Sequence, residues 1–154
     1  MLNDGDDRKK VGLTVSQAKA PRLRNVLHQL DLVLTNRAEA SALTGLALDA
    51  TVEDYHKGLR ERGCRSAVIS DGAQPVSWFQ GHDSGTISVE TLAHIVDVIG
   101  AGDALAAGIL YALNRELDLP SAVQFGAHVA KVVLGVEGPY LASRHLPKLQ
   151  DMFS

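Results

Sequence analysis

Cysteine is nearly missing from these 154 residues: Cys64 stands alone, so no internal disulfide can form and a reducing, cytoplasmic setting is expected. Neither sign of charge dominates. Fifteen Lys and Arg stand against eighteen Asp and Glu, a formal net charge of -3. That balance gives no electrostatic case for nucleic acid or an anionic membrane as a partner. No long hydrophobic run exists either, since the stretch from Ala104 to Leu113 is far short of the ~20 residues a membrane helix needs. The start, Met1 to Lys10, carries three Asp, one Arg and two Lys and leads into no apolar segment, so no secretory leader is expected.

Other absences exclude chemistry. The six histidines, His28, His56, His82, His94, His128 and His145, form no pair at metal-ligand spacing, so no zinc site is expected. A Walker loop needs Gly-Lys-Ser or Gly-Lys-Thr, and the chain has neither. A dinucleotide fingerprint needs a third glycine where Leu105 stands, so a dinucleotide oxidoreductase fails at that position.

What is present is an ordinary globular composition, 45% hydrophobic and 21% charged. A chain of this length reads as one domain able to bury roughly 68–70% of its surface without staples. Residues 1–9 read as a polar lead-in and 10–154 as a single domain. Lys10 to Val15 reads as a strand, then Gln17 to Leu30 as a helix with Leu23, Val26, Leu27 and Leu30 on one face. Arg22, Arg24 and Arg37 are expected on a solvated face. Leu32 to Leu34 suits a buried strand, followed by a short helix from Asn36 to about Thr44 that Gly45 stops. Thr51 to Arg62 reads as a helix closed by Gly63, and Ser66 to Ser70 as a strand ended by Asp71-Gly72. Val76 to Phe79 and Thr86 to Val89 read as a hairpin around Gly81 to Gly85. Trp78, Phe79 and Cys64 read as packing residues. An apolar helix runs from Asp103 to about Leu117, another from Leu119 to roughly Val136, and a last one from about Leu146 to Phe153. Helices alternating with short buried strands predict a three-layer α/β/α domain with a mainly parallel sheet.

Three segments carry candidate chemistry. In Asp97-Val98-Ile99-Gly100-Ala101-Gly102-Asp103, a glycine-lined bend opens an apolar helix. The first amides of such a helix are unpaired and form an anion site with the helix dipole. A carboxylate beside a bound anion makes sense if Asp103 handles a proton while the amides steady a transferring phosphoryl group. Taken alone, Gly102-Asp103 is more readily read as the start of a buried helix, since Asp is favoured at caps and first turns. Asn36-Arg37-Ala38-Glu39 is a capping box by spacing, and its carboxylate could also organise magnesium and its waters. Ser70-Asp71-Gly72 ends a strand, where open α/β sheets bind ligands, although an ordinary Asp-Gly turn explains it as well.

In this order, Asn-x-x-Glu, a strand ending Ser-x-Gly, and Asp-x-x-Gly-Ala-Gly-Asp before an apolar helix, the chain resembles the ribokinase-like (PfkB) family of carbohydrate and nucleoside kinases. The similarity runs from about Lys10 to the C-terminus, and Asp97 to Leu110 is its most specific part. It implies a ribokinase-like fold lacking its N-terminal part and lid. It implies ATP and Mg2+ as cofactors, with the γ-phosphoryl group passing to a hydroxyl of a sugar or nucleoside. Asp103 would be the base, and the backbone of Gly100, Ala101 and Gly102 the anion hole. Asn36 and Glu39 would serve the magnesium–phosphate region, Ser70 and Gly72 the nucleotide, and the helix carrying Gly126 and Ala130 the adenine. Asp97 would help hold metal, and a K+ site is implied near Asp97 and Ile99. Members are longer, and the half that supplies most sugar contacts has no counterpart here. Ile99 stands where members usually carry Thr, and Pro75 where a second glycine is expected. The alternative is a catalytically inactive remnant that binds nucleotide or a partner. Under either reading, the Lys10 to Val15 edge is expected to pair with a second copy or with a missing N-terminal half.

Overall fold

The computed structural model describes residues 20–88 and 100–134. The expected strand at Lys10 to Val15 and the expected terminal helix from Leu146 lie outside those residues, as do Asp97 and Ile99. The chain divides into two compact units: Met1–Ile69 with Ser77–Ser84, and Ser70–Val76 with Gly85–Ser154.

In the first unit, α1 covers Ala20–Arg24, with Pro21 in a first turn where its missing N–H breaks no hydrogen bond. The expected helix to Leu30 does not continue. Helix α1 ends at Arg24, and a 3-10 turn at Leu27–Gln29 follows, with Val26 at its start (φ −115°, ψ 0°). Leu27 and Leu30 are both buried in the core. Strand β1, Val33–Asn36, leads directly into α2, Arg37–Thr44, which Gly45 closes in the left-handed region (φ 75°). Helix α3, Val52–Glu61, starts at Thr51, whose hydroxyl accepts from the Asp54 amide while Asp54 accepts from the Thr51 amide. The box spares two amides from being orphaned, and losing such a cap typically costs ~1 kcal/mol.

The described sheet has four strands in the order β1-β2-β3-β4. Strand β2 is Ser66–Ser70, as the β-branched run predicts. Strands β3, Val76–Gln80, and β4, Asp83–Ile87, are joined by Gly81-His82 alone, a tighter turn than the spacing of the glycines suggests. Pairing of β2 with β3 is antiparallel, with Ala67 opposite Phe79 and Val68 opposite Trp78. The described sheet thus carries antiparallel pairing where β2 meets the expected hairpin. A short Asp71–Gln74 turn leaves no room for the crossover that a parallel neighbour requires.

The core of this unit gathers Leu27, Val33, Leu43, Tyr55, Leu59, Ile69 and Phe79 from the 3-10 turn, β1, α2, α3, β2 and β3. Each such aliphatic side chain contributes roughly 1.5–3 kcal/mol of burial. Arg24 and Arg37 correct the expectation of a solvated face. Arg24 donates twice to the Ala42 carbonyl, and Arg37 donates to the carbonyls of Leu48 (3.2 Å) and Ala50 (2.9 Å). Arg62 donates to the Thr44 carbonyl. Carbonyls in the last turn of α2 have no partners within the helix, and cations there also meet the negative end of its dipole. In the second unit, α4, Ala101–Asn114, packs on α5, Leu119–Leu134.

Candidate active site

The start of α4 is built by Gly100, Ala101, Gly102 and Asp103. Gly100 takes the N-cap position at φ 83° and ψ −2°, a left-handed conformation that strains any residue with a Cβ. Among the described residues, no side chain caps this helix. The first intrahelical bond runs from the Ala104 amide to the Gly100 carbonyl at 2.8 Å, so the amides of Ala101, Gly102 and Asp103 all precede the ladder. A Cβ placed on Gly102 would meet nothing within 4 Å, and Gly102 and Asp103 are both exposed. Leu105, Gly108, Ile109 and Ala112 make the buried face of the same helix. The bend is open, and Asp103 stands on its solvent side rather than in a sealed interior.

Ser70 ends β2 and is half-buried, and Gly72 follows at φ 55° with open space around it. The Gln74 amide donates to the Asp71 carbonyl at 2.9 Å and closes the turn. This turn and the α4 bend belong to the same unit.

In the other unit, Asn36 and Glu39 meet as their spacing predicts. The Glu39 amide donates to Asn36 Oδ1 at 2.8 Å, and the Asn36 amide donates to Glu39 Oε2 at 2.9 Å. The structure shows the capping reading directly. It leaves room for the other, because only one carboxylate oxygen of Glu39 caps and a carboxylate offers about four lone-pair sites. Among the described residues, no group of three or more His, Cys, Asp or Glu is placed to hold a metal. One carboxylate on a hydrated ion that is otherwise held by phosphates is the pattern Mg2+ favours, and Glu39 fits it.

Gly126 and Ala130 are both buried in α5. The space beside the Gly126 Cα is filled by α4: an added Cβ would lie 2.6 Å from the Leu105 carbonyl oxygen and 2.7 Å from Ile109 Cγ1. Close helix contact by itself explains a glycine at this position. Its partner Gly108 escaped the sequence reading, although a signal was there: two mid-helix glycines each cost about 0.5–1 kcal/mol relative to alanine, so they need a packing reason. Burial pushes the Cys64 thiol up to about 11, against the opposing pull of Arg62, which keeps it protonated and fits a packing role. Burial likewise lowers the His56 imidazole from its ordinary 6.5, helped by Arg60 and opposed by Glu53.

The description "pfkB family carbohydrate kinase" matches residues 4–146. The pseudouridine kinase of Escherichia coli K12 is 28% identical over 126 residues, which cover 80% of this chain and 40% of that protein. The adenosine kinase of Schizophyllum commune is 30% identical over 139 residues, covering 81% of this chain and 40% of that one. This chain therefore spans about two fifths of the length of these curated relatives. Among solved structures, an E. coli protein described as Ribokinase II, in complex with ATP and Mg2+, superposes with a TM-score of 0.75 at 18% identity, covering 92% of this chain and 47% of that one. That likeness establishes an α/β, ribokinase-like fold. With the match extending over most of its length, this chain belongs to the pfkB family of carbohydrate kinases.

Proposed function

We propose that this chain carries the phosphate-binding bend and the proton acceptor of an ATP-dependent kinase whose acceptor is a hydroxyl of a sugar or nucleoside. The observation that carries it is the start of α4, where a left-handed Gly100, three amides ahead of the helical ladder and an exposed Asp103 coincide in a pfkB-family chain. Relatives named as kinases of pseudouridine and adenosine, and a neighbour solved with ATP and Mg2+, support the acceptor class and the cofactors.

Asp103 accepts the proton of the acceptor hydroxyl. The freed oxygen forms a bond to the γ-phosphorus as the bond from that phosphorus to the β-bridging oxygen breaks, and ADP leaves with the electron pair. The amides of Ala101, Gly102 and Asp103 receive the charge that builds on the γ-phosphoryl oxygens. Phosphoryl transfer is mostly positioning and charge stabilisation, and a single preorganised donor of this kind is worth roughly 10²–10³ in rate. Mg2+, when bound, neutralises phosphate charge, and Glu39 would orient its waters through the oxygen that does not cap α2. Ser70 and Gly72 border the nucleotide, and α5, through Ala130, its base.

Calorimetry of ATP binding with and without Mg2+, followed by ADP release against a panel of sugars and nucleosides, tests the proposal. Mg2+-dependent ATP binding with release on at least one acceptor is expected. Binding without release on any acceptor would overturn the transfer step, and no binding would overturn the whole reading.

A further inference from the structure

Two helix-interior glycines face one another across the α4–α5 seam. A Cβ on Gly108 would stand 2.7 Å from the Gly126 Cα and 3.1 Å from Val129 Cγ2, so the two backbones touch here with no side chain between them. A Cβ on Gly126 would lie 2.6 Å from the Leu105 oxygen and 3.1 Å from the Ile109 nitrogen. Those two atoms are the acceptor and donor of one i to i+4 hydrogen bond in α4. Gly126 therefore lies directly over a single hydrogen bond of the neighbouring helix. That bond begins two residues beyond Asp103. Nothing flexible can yield on this side, since two of the three nearest atoms are backbone.

We propose that Gly126 is a positioning residue: by leaving the Leu105–Ile109 hydrogen bond intact under close contact, it fixes the depth and rotation of the first turn of α4 and so the direction of the Asp103 carboxylate. The catalytic half of this inference rests on the proposed function above, and the structural half does not. Asp103 is exposed in the first turn of α4, so its aim follows the helix that carries it. The interior of α4 is held by burial of Leu105, Ile109 and Ala112, and Ile109 Cγ1 lies at the seam beside Gly126. Gly126 acts through this seam rather than by touching substrate.

The test compares Gly126→Ala with Gln124→Ala, an exposed position on the same helix. In a helix without a tight neighbour, glycine to alanine raises stability. Here the Ile109 amide should exchange with deuterium at least tenfold faster in Gly126→Ala, on the order of the local opening such wedges cause, while Val33 and Val68 amides keep their protection. Phosphoryl transfer should lose about 10- to 100-fold in kcat, with KM for Mg2+-ATP changing far less, because a misaimed base slows chemistry more than binding. Gln124→Ala should change neither quantity. An unchanged Ile109 exchange rate, or a raised melting temperature with unchanged kcat, overturns the proposal. Faster exchange with unchanged kcat overturns the positioning role and leaves a packing seam. If the unmodified chain shows no transfer at all, the proposed function falls with the catalytic half, and exchange at Ile109 still decides the seam.

Discussion

Helices α2 and α4 begin in opposite ways. At α2 the chain seals its own first turn, with Asn36 and Glu39 each accepting the other's amide. At α4 the N-cap is a glycine with no side chain to offer, and three amides stay ahead of the ladder beside an open Gly102. Glycine ranks among acceptable N-caps, but it satisfies no donor itself. A helix that spends a side chain on its start is complete without a ligand. One that spends none keeps its positive end for something else. The contrast also separates the two carboxylates: Glu39 is engaged in its own turn, and Asp103 is exposed.

Asp103→Asn would break this contrast most sharply. It keeps the size and exposure of the side chain and removes its ability to take a proton, so transfer should fall by roughly 10²–10⁴ while calorimetry still finds ATP bound. Equal turnover in the variant would end the assignment of the base.

The next effect divides the two roles of the α2 box. Glu39→Gln retains a capping side chain, because Gln serves at that position, yet removes the charge a hydrated cation needs. Asn36→Ala removes the cap and should cost about 1 kcal/mol in denaturant unfolding. Glu39→Gln should unfold nearly as the unmodified chain does and require more Mg2+ for ATP binding. If the two variants match in both measurements, Glu39 has a capping role only.

The smallest effect lies away from both helix starts. His56 is buried on α3, with its Nε2 3.3 Å from Ser77 Oγ and its ring against Phe79, and burial lowers its proton affinity below that of an unfolded histidine. Below its ordinary 6.5, the unfolded chain then binds the proton more readily than the folded one. Stability is complete above that pH and declines as pH falls from there toward the folded value. A melting series across this window should show the decline, and His56→Gln should flatten it. An equal slope in both proteins would mean that other groups carry the acid sensitivity.

What the sequence revealed depended on range. The capping box at Asn36, the stop at Gly45 and the bend at Gly100 are local, each fixed by residues within a turn, and the structure places them where their spacing indicates. Arg24 and Arg37 escaped notice because their acceptors lie 18 and 11 to 13 residues away and are main-chain carbonyls, which leave no mark on residue type. The expected helix from Gln17 to Leu30 failed because apolar spacing alone cannot separate a continuous helix from α1 followed by a 3-10 turn, both of which bury Leu27 and Leu30. Pro21 was the usable signal, since it belongs in a first turn rather than a helix interior. The glycines of the α4–α5 seam become intelligible only once both helices are seen to share one contact.

The loop between α2 and α3 is held by Leu46 and Ala50, which pack against the core, and by a set of grips on its backbone. Ser41 holds the carbonyl of Leu46, the Tyr55 hydroxyl that of Ala47, and Arg37 those of Leu48 and Ala50. Grips of this kind are indifferent to what the loop's own side chains are. Leu48, 59% exposed at its tip, is thereby free to be exchanged for almost any residue while the loop keeps its shape, so new surface properties can be grafted there without disturbing the scaffold.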